Sequence, residues 1–162
     1  YKLKNITLTS FVLLVADVAK SKDFYVNLLD QEVTLEINNI NIGFRSGLAL
    51  WDRQYASSVI FGTPAEPSAH DKSVEIYFET PVLDQVHQRI IAAGTEIIHD
   101  IRTQPWQQRV FRFRDPDGFM VDVGETMAET VKRLKNERMT IEMISEKTMM
   151  PGELVKAMLA DG

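Results

Sequence analysis

The chain nearly repeats itself, and the repeat limits what it can fold into. Ser10-Phe-Val-Leu-Leu-Val-Ala-Asp17, an amphipathic segment and three strand-like runs ending at Gly47-Leu-Ala-Leu-Trp-Asp52 come first. They are echoed by Ser73-Val-Glu-Ile-Tyr-Phe-Glu-Thr80, a second amphipathic segment and three more runs ending at Gly118-Phe-Met-Val-Asp-Val123. A unit used twice implies a site on the surface its copies share.

In the first copy, alternation puts Phe11, Leu13 and Val15 on one face of a strand and Ser10, Val12 and Leu14 on the other. Asp17 is placed to cap a helix over about 19–29, whose stripe is Phe24, Tyr25, Leu28 and Leu29. Strands are predicted at 33–37, 40–44 and 48–50, joined at Asn38-Asn39 and Ser46-Gly47. In the second copy Val74, Ile76 and Phe78 share a face, Thr80-Pro81 supplies a cap and a first-turn proline, and Leu83, Val86, Ile90 and Ile91 form the stripe, which Gly94 ends. Strands near 96–101, 109–114 and 119–123 complete it, the last turn being Asp115-Pro-Asp-Gly118. The order is βαβββ twice, in modules of about 7–53 and 72–125, with a linker at 54–71. Within that linker Val59-Ile-Phe61 reads as an edge strand or a cavity wall. Residues 126–162 have a helical pattern: Met127, Val131 and Leu134, then Ile141 and Ile144, then a helix from Pro151 carrying Leu154, Val155, Met158 and Leu159. The expected fold class is α+β, with two tandem modules in a curved mixed sheet around a concave cup, and a C-terminal helical arm.

Composition bounds the function. The 162 residues are 44% hydrophobic and 25% charged, with a net charge of −5, which suits a globular protein and disfavours a non-specific grip on nucleic acid or an anionic membrane. The absence of cysteine removes disulfides, thiolate metal sites and cysteine nucleophiles, and fits a reducing cytoplasm. The apolar run 11–16 is too short for a secretion signal and ends at Asp17 without a small-residue cleavage site. No stretch reaches the length of a membrane span. There is no phosphate-cradling glycine loop, no His-Glu-x-x-His and no Gly-x-Ser-x-Gly. The arm has helix-turn-helix spacing, but from Glu125 onward six basic residues face seven acidic ones, and the would-be recognition helix offers only Lys156. Nucleic acid is therefore not the expected partner, and the arm is read as packing on a partner subunit or over the cup.

Two segments carry a family resemblance. Leu14-Val-Ala-Asp-Val-Ala-Lys-Ser-Lys-Asp-Phe-Tyr25 and Phe113-Arg-Asp-Pro-Asp-Gly-Phe-Met-Val-Asp-Val123 resemble the strand-to-helix signature and last hairpin of the glyoxalase, bleomycin-resistance and extradiol-dioxygenase superfamily, the vicinal oxygen chelate fold. The likeness covers roughly residues 7–125. It implies a cup holding a ligand, and in the family's enzymes a divalent metal held by a His or Gln on each first strand and a Glu on each last strand. Those positions are here Ser10, Trp51, Ser73 and Asp122, of which Asp122 alone is a credible ligand, short of the three or more that catalytic sites use. No metal and no cofactor is expected.

By parity the cup is lined by Val12, Leu14, Asn41, Arg45, Trp51, Glu75, Tyr77, Arg112, Met120 and Asp122. Trp51 and Tyr77 would be stacking walls, Met120 an apolar contact, and Arg45, Glu75, Arg112 and Asp122 orienting charges. The alternative is that those charges simply pair across strands. His87 and His99 are read as facing the helices, and His70 as a loop residue. The leading expectation is a cytoplasmic homodimer that sequesters a small molecule without metal. Its rival is a lyase, isomerase or dioxygenase-like enzyme, metal-dependent or using Glu75 and Asp122 as acid and base. A further alternative is an interaction module acting through the arm.

Overall fold

The computed structural model describes residues 8–66 and 74–161. Contacts divide the chain into one unit of residues 1–70 with 116–118 and a second of residues 71–115 with 119–162. His70 and Ser73 lie outside the described residues.

The first unit runs β1 (Phe11–Val15), α1 (Val18–Leu29), β2 (Val33–Ile37), β3 (Asn41–Phe44), β4 (Leu48–Asp52) and α2 (Arg53–Phe61). Its sheet has the order β1-β4-β3-β2, with β1 parallel to β4 and the other pairs antiparallel. The alternation predicted for β1 holds over its second half, where Leu13 and Val15 are buried and Val12 is exposed, but Phe11, expected on the face of Leu13 and Val15, is exposed at the start of the strand. Asp17 caps α1 by accepting from Lys20 N. Tyr25 on α1 lies 6.0 Å from the Phe44 ring, centroid to centroid, and is fully buried with Ile42 and Leu50. Asn38 and Asn39 both take positive φ, as a two-residue hairpin turn of the primed type requires.

The expected linker holds a helix. Asp52 accepts from Tyr55 N and starts α2, and Gly62, at φ +71°, ends it. Val59, Ile60 and Phe61 are therefore helical and exposed, not an edge strand. The β-branched run suggests a strand, but a carboxylate cap and a left-handed glycine ten positions apart outweigh propensity over so short a segment. One further anchor comes from the turn residues 116–118: Asp117 accepts from Ala16 N through Oδ1 (2.8 Å) and from Ser21 Oγ through Oδ2 (3.1 Å).

The second unit runs β5 (Glu75–Thr80), α3 (Leu83–Ala92), β6 (Ile97–Thr103), β7 (Arg109–Arg114) and β8 (Met120–Glu125), with sheet order β5-β8-β7-β6. It repeats the first unit's arrangement: β5 parallel to β8 and the rest antiparallel. Leu83, Val86 and Ile90 of α3 are buried, as are Phe111, Phe113, Val121 and Val123 of the sheet. The helix starts later than expected, with Val82 at the cap position and no side-chain cap. Thr80 Oγ1 instead accepts from Val82 N.

The arm forms α4 (Met127–Asn136), α5 (Ile141–Thr148) and α6 (Gly152–Ala160). Val131, Leu134, Ile144 and Val155 make a core of their own, with Met139, Ile141, Met150, Met158 and Leu159 around it. No helix among the described residues is long and apolar enough to cross a membrane.

Candidate functional site

Alternation along β5 and β8 sends the apolar residues Ile76, Phe78, Val121 and Val123 one way and Glu75, Tyr77, Met120 and Asp122 the other. Pairing then sets the second group side by side: Glu75 is opposite Met120, Tyr77 opposite Asp122, and on the next strand Arg112 opposite Asp122. Five of the seven residues proposed from sequence thus share one face of the second sheet.

His99 joins them. Simple parity sends it with Ile97 toward the helix side, but β6 is bulged. Between residues 97 and 99 the partner on β7 moves by one position, from Phe113 to Arg112, and an offset of one exchanges the faces. His99 Nε2 lies 3.1 Å from an Arg112 Nη1, and its Nδ1 lies 2.8 Å from the Asp100 carbonyl oxygen. Since the carbonyl accepts only, Nδ1 carries the proton and Nε2 accepts from Arg112. His87, in contrast, is on the helix side, 3.1 Å from Asp100 Oδ1 and edge-on to Phe111.

Arg112 is the hub of this face. Its Nε donates to Glu75 Oε2 (2.9 Å) and its Nη2 pairs with Asp122 Oδ2 (2.7 Å). Asp122 is 3% exposed, and its Oδ1 meets no hydrogen-bond donor among the described residues. Burial raises the Asp122 carboxyl to about 6; the charge of Arg112 pulls it down, and the charge of Glu75 and hydrogen bonding to it push it up. Two carboxyl groups can hydrogen-bond to each other only by sharing a proton.

Tyr77 is held by its hydroxyl. The oxygen accepts from Gln108 Nε2 (2.6 Å) and donates to Glu79 Oε1 (2.8 Å). Buried Gln108 also donates to the Glu125 carbonyl (2.8 Å) and accepts from Trp106 Nε1 (2.9 Å). Burial is the main cause that takes the Tyr77 hydroxyl to about 12. Gly124 leaves room for this: a Cβ there would stand 2.7 Å from Gln108 Nε2 and 3.3 Å from the Tyr77 hydroxyl. Gln108, Trp106 and Gly124 were not among the sequence-derived candidates, and nothing in their local pattern marks them.

The first unit holds the other two candidates. Trp51 is half-buried on β4, opposite Leu14 and Asn41, with the Tyr55 ring 6.4 Å away. Arg45 lies past the end of β3, where strand parity no longer applies, and is exposed in a two-pronged pair with Glu32 (2.7 and 2.6 Å).

Of the four positions that the resemblance assigns to a metal, Ser73 lies outside the described residues, and the other three do not fit one. Trp51 offers an N–H and no acceptor, Ser10 is exposed, and Asp122 already faces a guanidinium at 2.7 Å, where a bound cation would be repelled. Among the described residues no three His, Asp or Glu side chains gather as a metal site.

The glyoxalase-like domain family matches residues 8–128. A crystal structure of a protein of unknown function from Agrobacterium tumefaciens strain C58 is 30% identical, covers 76% of this chain and 97% of its own, and superposes with a TM-score of 0.70. A glyoxalase, bleomycin-resistance or dioxygenase protein from Nocardioides is 26% identical over 76% of this chain and 85% of its own, with a TM-score of 0.58. A lactoylglutathione lyase from Agrobacterium tumefaciens, 22% identical over 75% of this chain and 94% of its own, has a TM-score of 0.59 and shares the fold. No curated protein matches the chain.

Proposed function

Because the chain belongs to the glyoxalase-like domain family of the vicinal oxygen chelate superfamily, we propose that it binds a small organic molecule by sequestration, without a metal ion. The observation that carries this reading is the Arg112–Asp122 pair: where the family's enzymes place a metal-holding carboxylate, this chain turns its carboxylate to a guanidinium. Beside the pair stands Tyr77, 47% exposed, whose hydroxyl is already committed to Gln108 and Glu79. Its ring face remains for stacking, with Glu75, Arg112 and Asp122 to orient a polar substituent and Met120 to fill in. Trp51 is the stacking residue the reading assigns to the first unit. The setting is cytoplasmic, in keeping with the lack of cysteine, and the assembly a homodimer.

One observation favours a second reading. The raised pKa of Asp122 and its unpartnered Oδ1 suit a proton-transfer group acting with Glu75. The two readings separate in one experiment. A panel of neutral and cationic aromatic compounds is titrated calorimetrically against the protein in EDTA and in added magnesium, manganese or zinc, and each bound compound is recovered for mass spectrometry. Sequestration requires equal affinity with and without the ion, unaltered compound, and a loss of about 1–3 kcal/mol in Tyr77→Ala. Binding that needs the ion overturns it. A chemically altered compound whose conversion stops in Asp122→Asn establishes the second reading.

A further inference from the structure

On the face that carries Tyr77, one edge of a guanidinium is divided between two strands. Arg112 presents Nε and Nη2 side by side, the two donors that a single carboxylate takes in a two-pronged bond. Here Nε goes to Glu75 Oε2 (2.9 Å) and Nη2 to Asp122 Oδ2 (2.7 Å). Two carboxyl groups therefore meet across one cation, which does not balance both.

The two are not equivalent. The Asp122 side chain is 4% exposed and that of Glu75 36%. Asp122 Oδ1 is buried and accepts from no donor among the described residues, a costly condition until a donor is supplied. In acid a proton shared with Glu75 supplies it. Burial, opposed by the charge of Arg112 and assisted by Glu75, takes the Asp122 carboxyl to about 6. Above that pH the proton is lost and Oδ1 stands bare.

The surroundings favour a cationic donor over a neutral one. Alternation along β5 puts Glu79 on the face of Glu75 and Tyr77, so three carboxylates stand there against one guanidinium. The other groups around Asp122 add no positive charge. Tyr77 is opposite it on β5, its hydroxyl taken by burial to about 12. His99 reaches it only through Arg112, accepting from Nη1 (3.1 Å). The half-exposed Tyr77 ring offers its π face to an aromatic body or to the cation that body carries.

Building on the reading of this face as a small-molecule site, we propose that its ligand is a protonated primary amine on an aromatic body, whose ammonium group takes the place of the shared proton and donates to Asp122 Oδ1. Glu75, the exposed member of the pair, yields to admit it, and the aromatic body lies on the Tyr77 ring beside Met120. In acid, each amine bound expels one proton from the carboxyl pair to solvent. No covalent bond is made or broken otherwise.

The test is an amide chemical-shift titration of the full chain with three probes of one shape: phenethylamine, phenethyl alcohol, and phenethyltrimethylammonium, a cation without N–H donors. Phenethylamine is expected to give saturable shifts at Glu75, Tyr77, Arg112 and Asp122. A carboxyl that titrates at about 6 is about nine-tenths ionised at pH 7 and one-tenth at pH 5, so the amine should bind about tenfold less tightly at pH 5. At pH 7 the alcohol and the quaternary salt should each bind at least about tenfold more weakly than the amine. Asp122→Asn should bind the amine equally weakly at both pH values. Because this variant keeps His99, a pH dependence that persists in it assigns the proton to His99 and overturns the proposal. Equal affinity for the amine and either analogue, or no saturable shift at those amides, overturns it too. Where Asp122→Asn fails to fold, Glu75→Gln decides: without the Glu75 charge that raises Asp122, the loss of amine affinity should move to lower pH, and an unmoved profile is contrary. Each adverse result leaves the face itself to the calorimetric compound panel, in which binding that needs a metal ion is the decisive failure.

Discussion

Asp122 and Gly124 sit two positions apart on one strand, and each makes sense through a neighbour. The folded protein holds a proton on Asp122 up to about pH 6, against 3.8 for an unperturbed carboxyl. The folded state therefore binds that proton more tightly than the unfolded one. The resulting stabilisation is complete below about pH 3.8 and is lost as pH rises through 6. Asn imitates the neutral form at every pH. The stability of Asp122→Asn relative to the natural protein should thus shift in the variant's favour between pH 4 and pH 7, read as the difference in urea midpoints. A constant offset from the lost Arg112 bond would not alter that trend, and a flat difference would show that Asp122 titrates normally. Gly124 makes a sharper demand. Its absent Cβ is the space in which the Gln108 amide reaches Tyr77, so Gly124→Ala should cost about 1–3 kcal/mol by displacing a buried amide. Combined with Gln108→Ala the cost should fall well short of additive, because the group being displaced is then gone. Chemical denaturation of the two single variants and the double variant measures this.

Among the elements, those with strict periodicity were legible and those set by a short local device were not. The βαβββ order, the Asp17 cap, the Asn38-Asn39 turn and the three helices of the arm follow from patterns that span several residues. So does the common face of Glu75, Tyr77, Arg112, Met120 and Asp122, since a period of two carries over from strand to strand while the register is regular. The same rule misplaced His99, because a bulge in β6 shifts register by one and leaves no mark in Ile97-Ile-His-Asp-Ile101. It could not place Arg45, which lies past a strand end. The helix α2 was hidden by its β-branched residues, although Asp52 and Gly62 bracket it. Asp52 offers the check. Its side chain accepts from Tyr55 N at 2.7 Å, and Asp52→Ala should cost about 1 kcal/mol. Loosening the first turn of α2 should also change the fluorescence of Trp51, which faces the Tyr55 ring, while a variant at the α5 cap, Thr140→Ala, should not.

Across the whole molecule, the arm is where this chain departs from the family match, which stops at residue 128. The arm has a core of its own: Val131, Leu134, Ile144 and Val155 come from all three of its helices and are essentially fully buried. Its ties to β8 and the turn before β7 run through polar groups at one end of α4, with Arg133 Nη2 donating to the Gln107 carbonyl (2.5 Å) and to Glu125 Oε1, and Thr130 donating to the same oxygen. A core contained within one segment unfolds with that segment, whereas a core shared with a sheet unfolds with the sheet. Leu134→Ala, which removes a side chain 1% exposed at the centre of this core, should cost about 2–5 kcal/mol. That cost should be confined to the arm. Amides of α5 and α6 are expected to lose most of their protection from hydrogen exchange, while those of β5, β7 and β8 keep theirs. Equal loss of protection in the sheet would mean that arm and sheet fold as one cooperative unit, and that the polar ties through Arg133 couple them as strongly as a shared core would.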